Sequence, residues 1–115
     1  PLFNREPRER SDDVVRLLAE LHRPGEPIVA ADQRSATGLD HYVRTLVPEL
    51  RPDVVLPPED APVEAERVWL VRRIMDGIPE PTDDDEILAA GGFRQISEHD
   101  FPATKTDLAL QLWVR

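Results

Sequence analysis

The apolar residues of this chain are gathered in short runs of strand length, and prolines or charged residues bound each run. The clearest runs are Ile28 to Ala31, Val54 to Leu56 and Val68 to Val71. Unbroken apolar runs of this length are typical of strands that are covered on both faces. Because stretches with helical spacing separate several of these runs, the pattern favours an α/β fold with helices packed on a sheet.

Three helices are predicted from the spacing of apolar residues and from end signals. They cover residues 11–23, 35–47 and 83–90, and each ends at proline or glycine. Asp83 and Glu86 have the spacing of a capping box at the start of the third helix. The predicted buried stripes are Val14, Leu17, Leu18 and Leu21 in the first helix, and Leu39, Tyr42, Val43 and Leu46 in the second.

The C-terminal part of the chain predicts an antiparallel hairpin. Residues 93–99 form one strand, and the period-two pattern of Leu108 to Val114 forms the other, with a short turn around Pro102. The expected fold is a small Rossmann-like three-layer α/β sandwich, whose mostly parallel sheet is closed by this hairpin. Residues 1–10 are expected to be a linker from an upstream region, and residues 11–115 a single soluble α/β domain. The loop from Pro57 to Glu66 is barely long enough for a parallel crossover, so the place of the second strand stays open.

Composition excludes several classes of partner and site. The 115 residues carry a net charge of −9 at pH 7, which argues against binding a nucleic acid backbone. The absence of cysteine excludes a disulfide framework and a thiolate zinc site. His22, His41 and His99 lie in separate segments without ligand spacing, so no metal site is expected. The apolar runs are far shorter than the ~20 residues of a membrane-spanning helix.

Ligands of a doubly wound sheet bind beyond the carboxyl ends of its strands. After the first strand this position is held by Asp32-Gln33-Arg34-Ser35, and the first glycine is Gly38, inside the next helix. A dinucleotide or methyl-donor cofactor would need glycines there, so that backbone amides could approach it. No cofactor is therefore expected.

Asp32, Arg34 and Arg72 are the candidate ligand-binding residues, since they follow or end predicted strands and could contact a sugar or a phosphate. No catalytic residue is assigned. The alternative interpretation is that Asp32 or Ser35 caps the second helix while Arg34 is solvated. Trp69 and Trp113 lie in strand patterns, which favours packing in the core over a sugar-stacking surface.

Four sets of residues, taken in order, carry a resemblance to a known family. They are the turn Arg23-Pro24-Gly25-Glu26, the segment Leu39-Asp40-His41-Tyr42, the strand Arg67 to Val71, and the closing set Gly92-Phe93, Phe101 and Leu108 to Arg115. The resemblance as a whole covers about residues 11–115. The series resembles the C-terminal domain of bacterial multi-spanning C-type glycosyltransferases, which transfer sugars from polyprenyl-phosphate donors.

This resemblance implies a domain on the extracytoplasmic side of the cell membrane, with a supporting, non-catalytic role. Its partners would be the upstream transmembrane region of the same protein and possibly the lipid-linked sugar or the acceptor. The family's catalytic acid lies in an early loop of the membrane region, and no position here corresponds to it. Two alternatives remain: a small free-standing enzyme using Asp32, Arg34 and Arg72, and a protein-interaction or regulatory module using an exposed sheet edge.

Overall fold

The computed structural model describes residues 10–55, 65–75, 78–79, 84–103 and 106–115. The predicted helices and strands are present within these ranges, and a 3₁₀ helix and a short additional strand join them. The predicted linker at 1–10 and the loop at 57–66 fall largely outside the described residues. The helices are α1 (Ser11–Leu21), α2 (Gln33–Leu46), α3 (Asp84–Ala90) and the 3₁₀ helix (Pro48–Asp53); the strands are β1 (Ile28–Ala30), β2 (Val54–Val55), β3 (Arg67–Met75), β4 (Ile78–Pro79), β5 (Arg94–Phe101) and β6 (Asp107–Val114).

The strands form one open, mixed sheet in the order β2-β1-β3-β6-β5, and β4 pairs with the end of β3. Strand β1 is parallel to β2 and to β3, whereas β3, β4, β5 and β6 pair antiparallel. The C-terminal hairpin of β5 and β6 is confirmed, and the prediction of a mostly parallel sheet is wrong. The sheet is mixed because β6 lies beside β3 and pairs with it antiparallel from Arg67 to Ile74, whereas the parallel pairing of β1 with β3 covers only three residues.

Strand β3 continues past Arg72, which was expected to end it, and through Arg73. Arg72 faces Ala109 and Arg73 faces Leu108 across the β3–β6 pair, and both arginines are buried. The strand extends this far because β6 supplies backbone partners up to Ile74. The predicted end of the strand at Arg72 is therefore wrong by three residues.

Helices α1 and α2 cover one face of the sheet. Val14 and Leu18 of α1 share a core with Leu39 and Val43 of α2 and with Trp69 of β3. The two helices approach closely at Gly38, where an added Cβ atom would lie 2.6 Å from the hydroxyl oxygen of Ser11. Close packing of α1 against α2 therefore explains why a glycine occurs inside α2 at this position.

A second, smaller core lies on the opposite face, because alternate residues of a strand point to opposite sides. Val68 and Leu70 of β3 pack there with Trp113, Leu88 of α3 and Phe93. Helices therefore lie on both faces of the sheet. Trp69 is 2 % exposed and Trp113 is 8 % exposed, so the predicted packing role of both tryptophans is confirmed.

The turn Arg23–Glu26 is joined to the beginning of β3 by the buried side chain of Glu26. One carboxylate oxygen accepts hydrogen bonds from the Trp69 indole N–H, at 2.9 Å, and from the backbone N–H of Arg23, at 2.8 Å. The other oxygen lies 2.5 Å from Nε of Arg67. Gly25 has a φ of +91°, which favours glycine at this position of the turn.

The same turn is also tied to the beginning of β2. The His22 ring nitrogen Nε2 lies 2.8 Å from the carbonyl oxygen of Glu26 and 3.2 Å from a carboxylate oxygen of Asp53. The backbone N–H of Gly25 donates to that same carboxylate oxygen of Asp53. His22 and Asp53 therefore hold α1, the turn and the edge of the sheet together.

Candidate functional site

The structure places Asp32, a predicted ligand-binding residue, at the N-cap of α2. One carboxylate oxygen accepts from the backbone N–H of Ser35 at 2.8 Å, and the other accepts from the Ser35 hydroxyl at 2.9 Å. Ser35 is buried, and both contacts lie at the N-terminal end of α2. The alternative interpretation, in which Asp32 caps the helix, is confirmed.

The other two predicted residues take different places. The side chain of Arg34 lies outside the described residues. Arg72 lies on the face of the sheet that carries α3, and its Nη1 is 2.6 Å from a carboxylate oxygen of Asp85 in α3. The backbone of β1 comes close to this point, because the N–H of Ala31 donates to the carbonyl of Val71. The contacts nevertheless direct Asp32 into α2 and Arg72 toward α3.

The side of the sheet that carries α3 has polar residues on three neighbouring strands. Register places Arg72 of β3, Ala109 of β6 and Asp100 of β5 in one row across the sheet. The next row is Leu70, Gln111 and Glu98. We call the four polar members of these rows the polar face: Arg72, Gln111, Glu98 and Asp100.

The amide of Gln111 connects the core to the exposed part of this face. Its oxygen accepts from the indole N–H of Trp113 at 3.0 Å, and its nitrogen donates to a carboxylate oxygen of Glu98 at 2.7 Å. Gln111 is 3 % exposed and its bond to Trp113 is buried, whereas its bond to Glu98 is only partly buried. The orientation of the amide is thereby set, and the Glu98 carboxylate is held beside it.

The Asp100 carboxyl differs electrostatically from an ordinary surface aspartate. Loss of hydration raises its pKa above the usual value of 3.8, and the negative charge of Glu98 and a hydrogen bond to Glu98 raise it further. The charge of Asp107 acts in the same direction, while His99 lowers the pKa. Asp100, placed beside the charge of Glu98, therefore tends to retain its proton.

The polar face combines exposed carboxyl groups, a fixed amide and a buried guanidinium group. Carboxylate and amide oxygens suit hydroxyl, amide or cationic donors on a ligand. Within the described ranges, no group of three or more histidine or acidic side chains is arranged to hold a metal ion.

The prediction from sequence missed three members of this face: Glu98, Asp100 and Gln111. A signal existed for each of them. Glu98 lies in the predicted strand and Asp100 directly follows its predicted end; a strand that continued this far would place both on one side of a sheet. Gln111 is the only polar residue from Leu108 to Val114, and a lone polar residue in a buried strand needs a hydrogen-bond partner.

Known proteins provide no relative from which a function can be transferred. No family model, no curated protein and no solved structure matches this chain. In the part of the chain that the structure describes, no helix combines the length and the hydropathy needed to cross a bilayer. The contacts of the turn, of α2 and of the polar face are thus the basis for a functional proposal.

Proposed function

We propose that this chain is an extracytoplasmic, non-catalytic accessory domain of a membrane glycosyltransferase that transfers a sugar from a lipid-phosphate donor. The observation that supports this most is the contact of Glu26 with Arg67 and Trp69. It joins two of the segments that carry the resemblance, and β3 in turn pairs along its length with β6, a third such segment. The segments that carry the resemblance are therefore direct neighbours in the fold.

The polar face is the surface that such a domain would turn toward its ligand. Sugars are recognised through their hydroxyl groups, and the Glu98 and Asp100 carboxyls accept hydrogen bonds from hydroxyls. Both side chains are exposed, and Gln111 holds Glu98 in place. Sugar transfer itself would take place in the upstream transmembrane region, with the lipid-linked sugar or the acceptor contacting this face beside Arg72. Asp32 and Arg34 remain the weaker binding candidates.

We further propose that the fold is a Rossmann-like three-layer sandwich. The parallel strands β1 and β2, connected through α2, and the presence of helices on both faces support this description. Strand β6 departs from that pattern, since it lies antiparallel beside β3 in the middle of the sheet.

The location is tested in the full-length protein in bacterial membranes. Two reporter proteins are fused, one at a time, to the carboxyl end of this domain. Alkaline phosphatase is active only outside the cytoplasm, and green fluorescent protein is used as the reporter that fluoresces in the cytoplasm. We expect phosphatase activity without fluorescence. Fluorescence without phosphatase activity would reject the extracytoplasmic location.

The supporting role is tested by sugar transfer in the same membranes. The double variant Glu98→Gln, Asp100→Asn should raise KM for the lipid-linked donor or the acceptor several-fold, with a smaller change in kcat, because the face binds and does no chemistry. Glu20→Gln, an exposed carboxyl on α1, is the matched control and should leave both values unchanged. A loss confined to kcat would contradict a binding role.

A second candidate function is a protein-interaction module that uses the edge of the sheet. The observation in its favour is β5, which pairs only with β6 among the described strands and exposes most of its side chains. The test is co-purification of the full-length protein with a defined partner. The complex should weaken when charges on β5 are removed and should persist in Glu20→Gln.

A further inference from the structure

We propose that the outer edge of β5, from Ser97 to Phe101, is a docking site for an extended, basic segment of a partner protein, which adds to the sheet as a further strand. This deepens the interaction-module function and rests on it. The occupant is defined by its chemistry: basic side chains at alternate positions of an extended segment.

The backbone of β5 provides the first part of the argument. Within the described residues β5 lies at one end of the sheet and has β6 as its strand partner. An edge strand presents a row of N–H and C=O groups that another extended segment can pair with. An irregularity between Gln95 and Ser97 interrupts the regular pairing, so the uninterrupted part of the strand begins at Ser97.

The side chains define which segment fits. Glu98 and Asp100 lie two residues apart, on one side of the sheet, and both are exposed. Alternate residues of an added strand would face them directly, and opposite charges at facing positions stabilise a strand pair. A basic residue at every second position therefore matches this edge.

The same charges disfavour the alternative of a second copy of this chain. Edge-to-edge pairing of two β5 strands would bring acidic pairs together on a chain with a net charge of −9. Natural sheets use charged edge residues in this way to prevent self-association. The carboxylates of β5 attract a basic partner, and the negative net charge of this chain would accelerate the approach of that partner.

Proton binding at the edge supports the argument. Loss of hydration, Glu98 and Asp107 all raise the pKa of Asp100, and His99 alone opposes them. A cation brought by the partner would lower this pKa, since it stabilises the ionised carboxylate. Binding should therefore release protons at a pH near the raised value.

The experiment uses the full 115-residue chain and a short fluorescent peptide of alternating valine and arginine. We expect saturable binding at low salt, with amide chemical shifts changing along β5 and the Asp100 titration moving to lower pH. The variant Glu98→Gln, Asp100→Asn should bind about tenfold more weakly. Glu20→Gln should bind as the unmodified chain does.

A second peptide separates strand addition from simple charge attraction. Methylation of alternate backbone nitrogens keeps every charge and removes hydrogen-bond donors, so we expect its binding to be lost. Equal binding of both peptides, or shift changes away from β5, would overturn the proposal. If the peptide fails while a defined partner still co-purifies, the module function stands and this edge is rejected; if both fail, the module function falls too.

Discussion

Glu26 shows how a single buried carboxylate connects segments that are distant in the chain. Its two oxygens bind the Trp69 indole, the Arg67 guanidinium and the backbone N–H of Arg23. A buried charge is tolerated because these donors replace the water that it loses. The residue therefore has a structural role in the turn.

Replacement of Glu26 by alanine should destabilise the protein by about 2–3 kcal/mol, because it leaves the Trp69 N–H and Arg67 without their acceptor. Glu26→Gln should cost less, since it keeps an acceptor for Trp69. Urea unfolding followed by circular dichroism measures both changes. Glu20→Ala, on the exposed side of α1, should change stability by no more than about 0.5 kcal/mol. Equal losses of stability in Glu20→Ala and Glu26→Ala would contradict the structural role of Glu26.

Asp100 makes stability depend on pH. Its folded pKa is raised above the unfolded value of 3.8, so the folded state binds the proton more tightly. The stabilisation from this group is fully present below pH 3.8 and is lost as the pH rises through the raised folded pKa. Asp100→Asn should therefore be more stable than the unmodified chain at neutral pH, and this advantage should shrink in acid. Urea unfolding over a range of pH tests the sign, and an advantage that grows in acid would disprove it.

At the scale of elements, the packing of α1 against α2 depends on how closely their backbones can approach at Gly38. The Cβ position at Gly38 lies 2.6 Å from the Ser11 hydroxyl oxygen, so no other residue fits without movement. The hydrophobic stripes of the two helices then meet the same face of the sheet. The position of α2 in turn places Asp32 at its N-cap.

Gly38→Ala tests this contact, because two effects of opposite sign compete. Alanine favours a helix over glycine by about 1 kcal/mol, whereas overpacking costs about 1–3 kcal/mol. We expect net destabilisation in thermal unfolding. In a Ser11→Ala background, which removes the hydroxyl oxygen, the same substitution should be less harmful. Additive effects of the two changes would show that the residues do not interact.

At the scale of the whole molecule, one sheet separates two cores of unequal size. Trp69 belongs to the core under α1 and α2, and Trp113 belongs to the core under α3. Strands β3 and β6 contribute side chains to both cores. Because the two cores share the same backbone pairs, we expect them to unfold together.

Two single-tryptophan variants test this cooperativity. Trp113→Phe leaves the fluorescence of Trp69 as a reporter of the larger core, and Trp69→Phe leaves Trp113 for the smaller one. In each variant the fluorescence and circular dichroism transitions in urea should coincide, as they do in two-state unfolding. A fluorescence transition of Trp113 that precedes loss of helix signal would show that the α3 side opens separately.

The local pattern of residues determined the elements and part of their buried sides. The period-two run from Leu108 to Val114 forms the predicted strand, although both of its sides are buried. In the predicted stripe of the first helix, Val14 and Leu18 lie in the core, whereas Leu21 is exposed. The cap at Asp32 was also among the interpretations, because capping is a contact within one turn.

Only the tertiary structure decided the strand order and the polar face. Strand β6 lies between β3 and β5 because it pairs antiparallel with both, and the pairing with β3 joins distant segments that no local pattern connects. Glu98, Gln111 and Arg72 become neighbours through that pairing alone. Local patterns define which segments form helices and strands, whereas strand order follows from backbone pairings between distant segments.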